Sequence, residues 1–135
     1  MNIEPELHRS KIEAILHRVR LEDCEVLIVD SPEEWARQHG VKRDLPFVSA
    51  IAGLVDGRPV VVLQRKITSD TQSRVLDGMV VRGVELEGFP AEVETLEDPS
   101  AYLEHLVLHE AAHLILPDGA TELQCDQWAF ERMSV

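Results

Sequence analysis

Cysteine, aromatic residues and positive charge are scarce in this sequence. Its 135 residues include 2 cysteines, and Phe, Trp and Tyr together make up 4% of the chain. Two cysteines are too few for a disulfide framework, so we expect Cys24 and Cys125 to be small buried apolar side chains. With 13 Lys and Arg against 25 Asp and Glu, the net charge is −12. This balance argues against direct binding to nucleic-acid phosphates.

Long apolar runs are also missing. No stretch approaches the length of a membrane-spanning helix, and no basic and apolar leader is evident. We therefore expect a cytoplasmic protein with no membrane partner. The apolar content of 44% and the charged content of 28% are typical of a globular protein. The length predicts one domain over residues 1–135.

The most informative residues form the motif H-E-x-x-H, which begins at His109 and ends at His113. The apolar stretch around it, residues 99–116, predicts a buried helix with Asp98 as its N-cap. Residues four apart lie on one face of a helix, so two imidazoles at this spacing can bind one metal ion. Glu110, beside the first histidine, can then act as general base on a water that the metal activates.

A second helix follows after a short connection. Thr121 and Gln124 form the T-x-x-Q capping box, which predicts a helix from about residue 121 to about residue 133. Only residues 117–120 separate it from the first helix. A connection this short predicts an antiparallel helix hairpin.

The hairpin supplies a third candidate ligand. A catalytic zinc ion takes three protein ligands and keeps one position for water. Glu122 lies in the first turn after the corner, where it can converge with His109 and His113. Asp126 lies one turn further along the same face and can accept the free ring N–H of a ligating histidine.

This combination of motifs resembles known zinc enzymes. H-E-x-x-H followed by E-x-x-x-D resembles the gluzincins, the thermolysin-like metallopeptidases, including the very small single-domain ones. The residues E-x-x-C-D-x-W-A, from Glu122 to Ala129, are similar to the E-x-x-A-N/D-x-F-A helix of the ImmA/IrrE family. The similarity covers about Leu106 to Met133. Cys125 and Trp128 depart from the alanine and phenylalanine that are usual there.

The resemblance implies an activity and a role for each residue. It implies one Zn²⁺ per chain, held by His109, His113 and Glu122. Glu110 would be the general base for peptide-bond hydrolysis, and Asp126 would orient a ligand histidine. It also implies a zincin-like fold, in which an extended protein or peptide substrate adds to a sheet edge above the metal helix.

The remaining patterns predict an α+β domain. We expect a small zincin-like domain whose short, mostly antiparallel sheet packs on the H-E-x-x-H helix and on the following glutamate-bearing helix. Asp56-Gly57 is the strongest hairpin signal, and Pro59 is expected near a strand end or edge. The predicted elements before residue 98 are a helix over 5–20, a strand over 25–29, a helix over 32–39, hairpin strands over 47–55 and 59–66, a short helix over 70–77 and a strand over 79–86.

A group that stabilises the charge developing on the substrate carbonyl is harder to identify. Peptidases supply such a donor beside the metal, and the candidates upstream of the motif are His39, Arg65, Tyr102 and His105. His105 lies one turn before His109, and the rise of the helix makes it a poor third ligand. His105 is either a group behind the ligands or at the rim of the site, or it is an ordinary surface residue. The interpretation as a surface residue is favoured.

An acidic stretch leads into the motif helix. It is either a rim that favours basic substrate segments or a solvated loop or strand face, and the second is favoured because charge runs are usually solvated. Its residues are Glu85, Glu87, Glu92, Glu94, Glu97 and Asp98.

Three functions fit the sequence. The first is a zinc-dependent metalloendopeptidase. The second is a zinc-stabilised, catalytically weak or inactive domain that binds or regulates a protein. The third is an acidic interaction protein in which the motif occurs by chance.

Overall fold

A computed structural model of the chain describes residues 2–41, 49–81, 94–117 and 119–133. These residues form an α+β domain, as predicted, with a three-stranded sheet and five α-helices. One turn of 3-10 helix, Pro5–His8, precedes the first α-helix. The helices are α1 (Arg9–Arg18), α2 (Pro32–Gln38), α3 (Ser69–Val81), α4 (Pro99–Ile115) and α5 (Glu122–Arg132), and the strands are β1 (Glu25–Val29), β2 (Ala50–Val55) and β3 (Arg58–Gln64).

The sheet is mixed, whereas the sequence predicted a mostly antiparallel one. Its strand order is β1-β3-β2. β3 pairs antiparallel with β2 and parallel with β1, with Glu25 opposite Val60 and Val29 opposite Gln64. The parallel pair arises because the hairpin inserts β3, and not β2, beside β1. As the central strand, β3 is buried continuously from Val60 to Leu63.

The predicted hairpin is confirmed at Asp56-Gly57. Both residues have positive φ, 52° and 78°, as a two-residue turn of the primed type requires. Pro59 follows at the start of β3, one residue before the pairing with β1 begins at Val60. Its missing N–H therefore interrupts no pairing with β1.

Side chains cap the first turns of α2 and α4, and the Asp98 cap was predicted. The Ser31 hydroxyl accepts from the backbone N–H of Glu34 at the start of α2. The Asp98 carboxylate accepts from the backbone N–H of Ala101 at the start of α4. These bonds satisfy amide groups that the first turn of a helix leaves without an internal partner.

The sheet separates two groups of buried residues. Val61 and Leu63 face a large core shared with α1, α4 and α5. Val60 and Val62 face a smaller cluster with Trp35 on α2. This division follows from the alternation of side chains along a strand, and it puts the motif helix α4 and helix α2 on opposite faces of the sheet.

Two predictions before α4 need correction. Residues 79–81, predicted to start a strand, belong to α3, and the rest of that predicted strand lies outside the described residues. The predicted helix over 5–20 begins as a 3-10 turn, in which Leu7 is 76% exposed. Residues 47 and 48 of the predicted hairpin also lie outside the described part.

Within the described residues, no helix combines the length and apolar character needed to cross a bilayer.

Candidate metal centre

The centre is built on the hairpin of α4 and α5, which pack against each other. The backbone N–H of Leu116 bonds to the carbonyl of Ala112 and closes α4 just before Pro117. Gly119, with φ of 92°, takes a conformation that favours glycine. The predicted capping box then starts α5, because Thr121 and Gln124 each accept the backbone N–H of the other.

The structure brings the three predicted ligands together. Nε2 of His109 and Nε2 of His113 lie 2.9 and 2.8 Å from the same oxygen, Oε2 of Glu122. The three candidate ligand atoms all lie within 4.8 Å of one another. Adjacent donors around a tetrahedral zinc ion are separated by roughly 3.3 Å, given bonds of about 2.0–2.2 Å. A small outward movement of the side chains is enough to admit an ion.

Asp126 has the position predicted for it. It is fully buried, and its Oδ1 accepts a hydrogen bond of 2.7 Å from Nδ1 of His109. This bond places a proton on Nδ1, and Nε2 of His109 is directed at Glu122. Such an outer carboxylate fixes the tautomer and the ring orientation of a ligand histidine.

The electrostatics of the hairpin favour positive charge between its carboxylates. Burial works to lower the pKa of His109, but its hydrogen bonds to Asp126 and Glu122 raise it to about 10. Burial likewise works to raise the pKa of both carboxyls, yet the histidines hold the pKa of Glu122 and of Asp126 well below the usual range. The carboxylates are therefore ionised, and a cation at Nε2 of His109 is strongly favoured.

Glu110 is buried beside the candidate ligands on α4. Only 4% of it is exposed, and its negative charge helps to raise the pKa of His109. Burial raises the pKa of Tyr102 to about 12, and the charge of Glu110 adds to that shift. The carboxylate of Glu110 is thus close enough to act on both groups.

His105 is not a surface residue, so the favoured interpretation of it was wrong. It is 1% exposed, and its Nε2 lies 3.1 Å from Oδ1 of Asp126. Its ring packs on Phe130 with centroids 4.4 Å apart. The four-residue spacing of His105, His109 and His113 along an apolar helix was the signal that could have identified it.

The other candidate donors make contacts elsewhere. The hydroxyl of Tyr102, two turns before His109, lies 3.4 Å from the Ser49 hydroxyl. His39 follows α2, where its ring stacks on Trp35. The guanidinium of Arg65 pairs with Asp30 at 2.8 Å. His39 and Arg65 thus contact residues outside the ligand cluster, whereas Tyr102 is also within range of the charge of Glu110.

The acidic stretch is described only in part. Glu94, Glu97 and Asp98 are exposed, and Asp98 caps α4. Exposure is compatible with both interpretations of this stretch. Glu85, Glu87 and Glu92 lie outside the described residues.

No family model, curated protein or solved structure matches this chain. The donor atoms therefore provide the basis for naming an ion. Two imidazole nitrogens and one carboxylate oxygen suit zinc, which binds nitrogen, sulfur and oxygen donors at four positions. The His113 and Glu122 side chains are 18% and 21% exposed, whereas that of Asp126 is fully buried. The cluster thus opens to solvent on the side of His113 and Glu122, where a fourth position would lie.

Proposed function

We propose that the domain is a zinc-dependent metallopeptidase that holds one zinc ion through His109, His113 and Glu122. The observation that carries the proposal is the approach of both histidine Nε2 atoms to one oxygen of Glu122, at 2.9 and 2.8 Å. The bond from Nδ1 of His109 to Asp126 supports it, because it leaves Nε2 available as a ligand.

The chemistry of hydrolysis follows from the residues around this position. Zinc, when bound, polarises a substrate carbonyl and lowers the pKa of a coordinated water. Glu110 accepts the proton of the attacking water and passes it to the leaving amine. Its burial restricts competing hydrogen bonds from solvent, and its charge acts on His109, which would hold the ion.

The substrate is a protein or peptide that binds in an extended form. In the described part of the sheet, β2 is an edge strand, and α4 packs against it. An extended segment that adds to β2 would obtain main-chain hydrogen bonds without strong sequence selection. The net charge of −12 favours basic segments among such substrates.

A second candidate function is a zinc-stabilised domain that binds a protein without cutting it. The contacts of His39 and Arg65 favour this alternative, since each of these side chains is engaged with residues outside the set of candidate ligands. A peptidase without a second donor beside the metal loses about 10²–10³ in rate. Weak catalysis or none would follow.

The variant Glu110→Gln separates the two candidates. We expect one zinc ion per chain in wild type and variant by elemental analysis, and cleavage of denatured, fluorescently labelled casein by wild type alone. Glu13→Gln, on an exposed position of α1, is the matched control and should cleave like wild type.

The other outcomes have distinct meanings. Well-folded wild-type protein without stoichiometric zinc contradicts both zinc functions and supports the acidic interaction protein. Zinc binding with equal inertness of wild type and Glu110→Gln, against unfolded and basic proteins, supports the non-cleaving domain.

A further inference from the structure

We propose that His105 is a positioning residue for the metal centre: it donates a hydrogen bond from Nε2 to Asp126 and so fixes the carboxylate that holds His109. The inference rests on the proposed zinc site and extends it by one residue. It gives a function to a buried histidine that neither the ligand set nor the hydrolysis uses.

The geometry is a chain of contacts that runs into the protein. Asp126 Oδ1 receives His109 Nδ1 at 2.7 Å and His105 Nε2 at 3.1 Å. His105 and His109 are one turn apart on α4, so a single residue of α5 contacts both rings. The ring of His105 is itself held by Phe130, with centroids 4.4 Å apart.

The positions of the protons in this hydrogen-bond network follow from its acceptor, the carboxylate of Asp126. An ionised carboxylate has no proton to donate, so each histidine must present an N–H to it. Nε2 of His105 and Nδ1 of His109 then each carry a proton. Two donors on one oxygen restrict the rotation of the Asp126 carboxylate, which in turn aims Nε2 of His109 at Glu122.

Burial makes the second donor important. Asp126 is fully buried, and His105 is 1% exposed. A buried carboxylate that loses a hydrogen bond is destabilised and tends to move toward other donors. Removing the donor at His105 should therefore disturb the orientation of His109, although His105 does not touch the ion.

A different function for the same residues is ligation. His105, His109 and Asp126 also have candidate ligand atoms within 4.8 Å of one another. An ion there would take Nδ1 of His109, which the zinc site needs as an N–H donor. All three residues are buried, and the accessible side of the cluster is that of His113 and Glu122. The zinc site needs the N–H at Nδ1 of His109, and the three residues are buried. A positioning function for His105 is consistent with both facts.

The experiment compares zinc affinity in variants of His105. His105→Phe keeps an aromatic ring against Phe130 but has no donor, and we expect zinc binding about 10–100-fold weaker in a chelator competition. His105→Gln places an amide N–H near the original Nε2 and should recover most of the affinity. Leu103→Val, a buried change on α4 outside the network, should lower the unfolding midpoint and leave zinc affinity unchanged.

Cobalt provides a signature that general instability does not imitate. The visible absorption of the Co²⁺ form should shift in His105→Phe and should match wild type in His105→Gln and Leu103→Val. Unchanged zinc affinity and spectrum in His105→Phe, with zinc bound by wild type, would overturn the inference alone. Wild type that binds no zinc would overturn the proposed function, and the inference with it.

Two measurements on wild type test the inference if the variants do not fold. Histidine-ring ¹⁵N NMR of the zinc form should give an Nε2–H tautomer for His105 and an Nδ1–H tautomer for His109. An unprotonated Nε2 at His105 contradicts the proposal. Elemental analysis should give one zinc ion per chain, and two ions would make His105 a ligand instead.

Discussion

His109 has a special position among the candidate ligands because both of its ring nitrogens meet carboxylates. Nδ1 donates to Asp126, and Nε2 lies 2.9 Å from Glu122. A proton and a metal ion therefore compete for Nε2. Hydrogen bonding outweighs burial and favours the proton strongly, which raises the pKa of His109 to about 10.

This competition predicts proton release on zinc binding. At pH 8 an ordinary histidine is already neutral, but His109 is still protonated because its pKa is about 10. Zinc must displace that proton, so we expect about one proton released per ion at pH 8, and apparent zinc affinity that rises with pH up to about 10. Calorimetric titration with zinc in buffers of different ionisation enthalpy measures the number of protons released per ion. A value near zero at pH 8 would contradict the assigned environment of His109.

The residues of the centre were predictable to the extent that their placement is local. The spacing of His109 and His113 and the capping box at Thr121 follow from helix geometry, so the approach of Glu122 followed from the sequence. The ring contact of His105 did not. Its partner is Phe130, which α5 brings over the ring, and one helix considered alone does not show which residue of another helix covers it. The zinc ion and the peptidase activity remain predictions.

At the scale of elements, the start of α5 determines where Glu122 lies. Thr121 is the N-cap, and its hydroxyl accepts from the backbone N–H of Gln124 at 3.1 Å. Glu122 is the first residue of the helix. A frayed first turn would therefore move the ligand as well as reduce stability.

The caps of α5 and α3 provide a matched pair of variants. Thr68 caps α3 as Thr121 caps α5, with its hydroxyl 3.1 Å from the backbone N of Thr71. Both threonines are exposed, so each change to alanine should cost about 1 kcal/mol of unfolding free energy. Only Thr121→Ala should weaken zinc binding, by up to about fivefold. Urea denaturation and chelator competition measure the two effects, and equal zinc affinity in both variants would contradict a link between the cap and the site.

The sheet was less predictable than the helix hairpin. Asp56-Gly57 indicated the pairing of β2 with β3 because a two-residue turn is a local signal. The parallel pairing of β1 with β3 has no such signal, since the chain between them includes α2 and β2. Met79 begins the last three residues of α3, not a strand. A short apolar run fits either structure when its packing is not known.

At the scale of the whole molecule, contacts between distant parts of the chain hold the hairpin and the first residues in the large core. Arg18 on α1 pairs with the buried Glu104 on α4 at 2.9 Å and also donates to the carbonyl of Arg132 at the end of α5. Near the other end of the described chain, Ile3 forms a bridge with Ile67. The hairpin of the metal centre is thereby packed into the large core.

Because that hairpin belongs to the core, zinc should stabilise the entire domain. Free zinc at 100 times its Kd contributes about 2.7 kcal/mol if only the folded state binds, which corresponds to a rise in Tm of roughly 10 °C for a domain of this size. Scanning calorimetry with and without a chelator measures the rise. His113→Ala should abolish the rise in Tm. The side chain of His17 is 75% exposed, so the control variant His17→Ala should retain the rise. A rise of equal size in both variants would place the stabilising zinc elsewhere.

The short turn between α4 and α5 also affects the order of folding. All the candidate donors lie between residues 105 and 126. In contrast, β1 pairs with β3, and α2 and β2 lie between these two strands in the chain. Closing a short loop costs less entropy than closing a long one, and local contacts form early. If the proposed site holds zinc, we expect the nascent hairpin to capture the ion before the parallel strands pair. An ion held by an incompletely folded chain stabilises the native state by less than its affinity implies.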